Sequence, residues 1–204
     1  MVRAVAIILA AGMSSRMGQC KATLPWRTDL TLLAYQIQEF RTVDVVPIVV
    51  LGAHNAHLRQ AANIPSTACV TINPTPSQGK VSSIFQGLRC LPEQWDVVFI
   101  SAVDQPRSAK VYRQLLNAYE RHGTRITLPS YQQRAGHPPL LSRSLLPQLT
   151  GMSDETNGLR HVMKMHRDST HYVTMDTAEV LLDLNTPGQY NQAINTIRPS
   201  RALD

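Results

Sequence analysis

Residues 4–21 read AVAIILAAGMSSRMGQCK, an apolar run that ends in a turn of small residues and is followed by two cations, Arg16 and Lys21. The run 4–9 has no polar alternation and carries Val5, Ile7 and Ile8, which predicts a parallel strand buried on both faces. The chain must then turn at Ala10-Ala11-Gly12, where nothing larger than a methyl covers the backbone and Gly12 is free to take a positive φ. Amide groups left open in this way can approach a phosphate or a base edge closely. Arg16 and Lys21 follow soon enough to fold back over such an anion, one as a planar fork and the other as a point charge.

Competing readings of the same stretch fit less well. A secretory leader also opens with a cation and an apolar run, but Arg3 is a sparse n-region and the run is short for an h-region. No G-x-G-x-x-G follows the strand. Gly79-Lys80-Val81 lacks the hydroxyl after the lysine and the glycine five residues before Gly79 that a P-loop requires.

Residues 9–21, LAAGMSSRMGQCK, resemble the L-A-A-G-x-S-x-R-M-G-x-x-K signature of nucleotidyltransferases with a Rossmann-like NTP-transferase domain. Within that family they are most similar to the molybdenum cofactor cytidylyltransferase branch. The resemblance implies that the backbone of Leu9, Ala10, Ala11 and Gly12 holds a nucleotide and that Arg16 and Lys21 are catalytic. Ala10-Ala11-Gly12, in place of the Ala-Gly-Gly of the guanylyltransferase sister group, favours CTP.

With 204 residues the chain suits one domain, able to bury roughly 70% of its unfolded surface. Apolar residues make up 43% and charged ones 17%, an ordinary globular balance, and no apolar run approaches the ~18 residues of a membrane span. The net charge of +6 favours anionic ligands, but with aromatics at 5% and scattered Lys and Arg, no nucleic-acid surface is visible. Cys20, Cys69 and Cys90 are odd in number and far apart, which argues against a disulfide framework or zinc knuckle and for a reducing cytoplasm.

Along the chain, Thr31 is a candidate N-cap for a helix burying Leu32, Leu33, Ile37 and Phe40. Strands are predicted at 48–51 and 68–72, with Pro47 confined to a strand start and a short helix at 54–62 between them. The loop 73–83 runs into an amphipathic helix marked by Ile84, Leu88 and Leu91. On their own, Gly79, Ser82 and Ser83 read either as a helix cap or as hydrogen-bonding groups for a base or ribose. The family's N-P-x-x-x-x-G-x-x-S-S pattern implies the second for Gln78, Gly79, Ser82 and Ser83. A buried strand at 96–103 presents Asp104-Gln105-Pro106 at its C-terminal edge, where open α/β sheets bind ligands. Asp104 could cap the helix beginning near Ser108, but a carboxylate beside a phosphate loop suits Mg²⁺, and the family's D-x-P motif implies that role. A helix at 111–121 and a strand at 125–128 complete a β-α alternation, which predicts a single-domain, doubly wound, mostly parallel sheet with helices on both faces.

The second half carries weaker signals. Gly136-His137-Pro138 resembles a G-H-P segment, making His137 a candidate for the acceptor pocket. Residues 151–160, GMSDETNGLR, resemble a G-D-x-G-x-R segment imperfectly: either Asp154 or Glu155 serves in its place, Asp154 being the acceptor-side candidate, or the loop has lost that contribution. A strand is predicted at 180–184, then Thr186 as N-cap and Pro187 as first helical residue. The family's D-[I/V]-[D/N]-T-P-x-D-[Y/F/L] pattern implies an acceptor-side role for Asp183 and a metal-side role for Asn185, while its later acid is Gln189 here. The expected division is a nucleotide-binding half at 1–106, an acceptor-binding half at 107–197 and a tail at 198–204. Together the resemblance implies a cytoplasmic, Mg²⁺-dependent transfer of a nucleotide from an NTP, CTP favoured, to a phosphate-bearing acceptor. The acceptor that the resemblance implies is molybdenum cofactor, and with it a transient contact to a molybdenum enzyme or its chaperone. The alternatives are a sugar- or polyol-phosphate cytidylyl- or uridylyltransferase, the guanylyltransferase, and a non-catalytic binding protein of the same fold.

Overall fold

The structure, a computed structural model, describes residues 1–27 and 29–197; the tail at 198–204 lies outside the described residues. Eight strands form one sheet: β1 (Ala4–Ala10), β2 (Val46–Gly52), β3 (Cys69–Asn73), β4 (Val97–Ala102), β5 (Ile126–Tyr131), β6 (Arg134–Ala135), β7 (Leu140–Ser142) and β8 (Thr170–Thr174). Six α-helices accompany them among the described residues: α1 (Leu32–Arg41), α2 (Lys80–Leu88), α3 (Ala109–His122), α4 (Leu146–Thr150), α5 (Gly158–Met165) and α6 (Pro187–Ile197). The strand order is β3-β2-β1-β4-β7-β5-β6, with β8 added to β5. Pairs β1·β2, β1·β4, β2·β3 and β5·β8 are parallel, and only the partners of β6 and β7 run antiparallel.

β1 is buried along its whole length because both its faces are covered. Ala4, Ala6, Ile8 and Ala10 face a core shared with α1, α3 and α6, while Val5, Ile7 and Leu9 face a second core shared with α2, α4 and α5. The three alanines leave room on their side for an aromatic cluster. Phe40 stacks on Tyr112 with centroids 3.8 Å apart, and Phe99 meets both at a tilt. On the other side α2 lies against the sheet at Gly87, where a Cβ would stand 2.3 Å from the Ile7 side chain.

The Thr31 cap forms as predicted, its hydroxyl accepting from the Ala34 amide at 3.1 Å, and Pro47 sits second in β2. Several boundaries differ. The segment 54–62 makes only a 3-10 turn at Ala56–Arg59, because Asn55 is drawn inward and no residue of that turn is buried. Leu91 lies past the end of α2. The strand predicted at 180–184 is absent: Ala178–Leu181 is a 3-10 turn, and the carbonyls of Val180 and Leu182 turn to Arg107 instead of a neighbouring strand. β6, β7 and β8 and helices α4 and α5 went unpredicted. β7 has three residues after two prolines, and β8 is only partly buried, so neither shows a long apolar run.

Phe40→Ala should lower the unfolding free energy by about 3–5 kcal/mol, the cost of a cavity in a closed aromatic cluster, read from the midpoint of a denaturant titration.

Candidate active site

The chain steps from β1 outward to β2 and β3 and then returns to β4 on the other side of β1. Carboxyl ends of parallel strands at such a reversal leave a crevice. Here it is a cleft of about 380 Å³, with Leu9, Ala11 and Gly12 on one wall, Gly79, Lys80 and Ser83 on another, and Lys21, Asp104, Asp183 and Asn185 across it.

The turn after β1 is built differently from the expectation. Gly12 stays outside the left-handed region, which is taken by Ser14 (φ 52°) and Gly18 (φ 74°). Gly12 contributes space: a Cβ there would meet nothing within 4 Å, on a wall that opens into the cleft. The Ser14 carbonyl accepts from the Met17 amide at 2.9 Å, its hydroxyl accepts from the Lys21 amide at 3.3 Å, and Met17 is buried as the loop's anchor. Asn55, itself buried, accepts from the Gly52 amide and donates to the Ala10 carbonyl, both at 2.8 Å. The Ala10 carbonyl is thereby turned away from any ligand, and only the amide side of the turn stays available.

Lys21 is nearly buried, and its Nζ donates to Asp104 Oδ2 at 2.7 Å and to Asn185 Oδ1 at 3.0 Å. Arg16 reaches the same Asn185 oxygen at 3.4 Å from the exposed side. Asp104 thus faces the cleft and does not cap α3 locally; the amide of Ala109 bonds to Glu39 and the Ser108 amide and hydroxyl to Glu179. Gln36, wholly buried in α1, steadies the approach to Asp104 by donating to the Val103 carbonyl and accepting from Ser101. Asp183 accepts from Gln105 at 2.7 Å, and the Leu184 amide bonds to the Asp104 carbonyl at 2.9 Å. Asn185 leads into α6 through a reciprocal cap, in which Thr186 Oγ1 accepts from the Gln189 amide and Gln189 Oε1 accepts from the Asn185 and Thr186 amides. Gln189 therefore completes the cap of α6.

Other predicted residues are placed less centrally. Gln78 and Ser82 are absent from the lining; Gln78 accepts from Thr75 and Ser82 donates to the Gly79 carbonyl. Asn73, buried at the end of β3, donates to the hydroxyls of Ser82 and Ser83 and so fixes the start of α2. Asp154 docks on that same start. Its carboxylate accepts weakly from the Val81 amide at 3.5 Å, and a Cβ on Gly79 (φ 106°) would stand 2.2 Å from it. His137 is half-buried outside the lining; burial, then the nearby Lys80, hold its pKa below the usual histidine value, against the pull of Asp183.

Three residues escaped the sequence reading: Asn55, Lys80 and Arg107. Arg107 is fully buried, and its fork donates to four carbonyls, those of Pro106 (2.9 Å), His137 (3.1 Å), Val180 (3.1 Å) and Leu182 (2.8 Å). Burial lowers its pKa to about 10, against the pull of Tyr112, Asp183 and Glu179, so it is still protonated at neutrality. Beyond Asp183 a larger cavity of about 830 Å³ continues between the start of α3, the β5–β6 hairpin and α6, floored by Trp26 and Tyr35 and rimmed by Arg27 and Arg134.

The donor set suits a hard cation. Asp104 and Asn185 hold two oxygens about one ammonium, so Lys21 shows that a positive charge is accommodated between them. Among the described residues no group of three or more His, Cys, Asp or Glu could enclose a metal alone. Mg²⁺ is commonly held this way, by one or two protein oxygens completed by substrate phosphates.

A phosphate-ready turn, a carboxylate and two cations at a sheet reversal define an enzyme that handles nucleotides, and sequence comparison agrees. The profile of the MobA-like NTP transferase domain matches residues 6–171, and the chain belongs to this family of nucleotidyltransferases. A similar protein is the molybdenum cofactor cytidylyltransferase of Escherichia coli (strain K12), 30% identical over 186 residues that span 90% of this chain and 92% of its own. Among solved structures, Rv0371c from Mycobacterium tuberculosis H37Rv superposes with a TM-score of 0.82 at 23% identity, covering 95% of this chain and 98% of its own. A complex of Rv0371c with manganese superposes at 0.75 and 22% identity, covering 95% and 99%.

Arg107→Met should cost about 3 kcal/mol or more, since it strands several buried carbonyls, and the loss is read by chemical denaturation. For His137, whose folded pKa is lowered, the unfolded chain binds a proton that the native state refuses. Its contribution to stability is therefore lost as pH falls through the ordinary value of 6.5 toward the lower folded one. The fall in melting temperature between pH 7.5 and 5.5 should accordingly be smaller in His137→Gln than in the parent.

Proposed function

We propose that this chain transfers CMP from CTP to the phosphate of molybdenum cofactor, releasing pyrophosphate. The observation that carries the reading is the Lys21 ammonium held between Asp104 and Asn185 at the mouth of the small-residue turn. Residues 1–106 form the nucleotide side, where Leu9 to Gly12, Gly79 and Ser83 receive base and ribose. Residues 107–197 form most of the acceptor side, with His137 and Asp183 at its entrance. The 830 Å³ cavity offers room for the acceptor's body.

In the transfer, an oxygen of the acceptor phosphate bonds to the α-phosphorus while the bond from that phosphorus to the β-phosphate oxygen breaks and pyrophosphate departs. The acceptor phosphate is already ionised near neutral pH, so His137 is not required as a base. Lys21 and Arg16 neutralise charge gathering on the leaving phosphates, in a cleft where their direction is set beforehand by Asn185. Asp104 and Asn185 would hold Mg²⁺, which when bound supplies neutralisation of the phosphates and alignment of the reacting groups. No covalent enzyme intermediate is needed. No helix among the described residues is long and apolar enough to cross a membrane. We place the reaction in the cytoplasm, where nucleoside triphosphates are available.

The test is thermal stabilisation by CTP, GTP, ATP and UTP with Mg²⁺, followed by pyrophosphate release with candidate acceptors. CTP should stabilise most, and molybdenum cofactor should be the productive acceptor. A preference for GTP would assign the guanylyl reaction, turnover on a sugar or polyol phosphate would replace the acceptor, and no response to any nucleotide would leave a non-catalytic binding protein. Lys21→Ala should reduce turnover about a hundredfold or more.

A further inference from the structure

Far apart in the chain, two of the three cysteines meet in the fold. Cys69, Thr71 and Asn73 alternate onto one face of β3. That face looks at α2, because Asn73 donates to the hydroxyls of Ser82 and Ser83 at the helix start, and Ile48, in register with Cys69, faces the core beneath the helix. β3 and β4 both run in the direction of β1, so α2 between them runs back over the sheet, its end toward the beginning of β3. From Asn73 back to Cys69 the strand spans about 13 Å, and from Ser83 on to Cys90 a helix spans about 11 Å. Contact at one end therefore sets the two cysteines level at the other.

Cys90 lies just past α2, its amide donating to the Gly87 carbonyl at 3.0 Å, and packs on the same core. There the thiols of Cys69 and Cys90 share a hydrogen bond. Both are free, Cys69 on the surface and Cys90 half-buried beside it, so reagents reach one thiol while the fold holds the other against it. Neither sits inside a helix, which leaves the backbone room to adopt the geometry of a bridge. Partial burial, then Cys90 itself, keep the Cys69 thiol above the usual cysteine value, so no stabilised thiolate holds the pair open.

We propose that Cys69 and Cys90 are a redox-modification site, closing to a reversible disulfide when the protein meets a small-molecule disulfide such as oxidised glutathione. One cysteine thiolate attacks a sulfur of that disulfide, whose sulfur–sulfur bond breaks to release one small thiol. The second cysteine attacks the mixed disulfide and expels the other half. The two protein thiols supply two electrons and two protons, and the small disulfide leaves as two thiols. The bridge closes a loop that contains β3, the turn after it and α2, and so fastens at its far end the cleft wall that Asn73 holds at the near end.

The test equilibrates the full chain with mixtures of reduced and oxidised glutathione at mildly alkaline pH, blocks the remaining thiols and maps the peptides by mass spectrometry, in native buffer and in concentrated urea. Native wild type should lose two of its three thiols to a single bridge between Cys69 and Cys90. The equilibrium constant for closure should exceed that in urea by about tenfold or more. Cys20→Ser should bridge like wild type, whereas Cys69→Ser and Cys90→Ser should keep the remaining partner as a thiol or a glutathione adduct. Absence of the bridge at every glutathione ratio, a bridge to Cys20, linkage between two chains, or closure no more favoured in the native protein than in urea would overturn the assignment.

Discussion

One ammonium with two oxygens from remote parts of the chain is the constraint on which this molecule's site depends. Asp104 lies 83 residues from Lys21 and Asn185 lies 164 residues from it, yet both meet its Nζ. Each is delivered by a separate device: Ser14 shapes the turn that brings Lys21 round, Gln36 steadies the strand end before Asp104, and the Thr186–Gln189 cap sets Asn185. The interaction draws together the end of β1, the end of β4 and the start of α6.

Much of the first half was legible in the sequence because its physics is local. A strand buried on both faces must read as an unbroken apolar run, and β1 and β4 do. A hydroxyl before an apolar periodic segment caps a helix, as Thr31 does. What Gly12 does was misjudged for a specific reason. Small size serves either backbone freedom or open space, and composition alone does not separate them; here the left-handed positions fell to Ser14 and Gly18.

The second half was harder because its structure is held by non-local partners. β7 is three residues long and exists by pairing with β4 and β5 on either side. Arg107 carries no local signal at all, since its four acceptors are backbone groups, three of them from segments 30 to 75 residues away.

The Arg107 clasp bears on how the larger cavity could change its lining. A guanidinium that holds the carbonyls of His137, Val180 and Leu182 recognises the main chain, and every residue type presents the same carbonyl. The course of the backbone beside the larger cavity is therefore fixed without reference to side-chain identity there. Leu181 and Leu182, which line the larger cavity, can vary while the wall that bears them stays in place. Course and lining are thus written in separate parts of the same segment, and the cavity wall can be refaced without dismantling the scaffold that carries it.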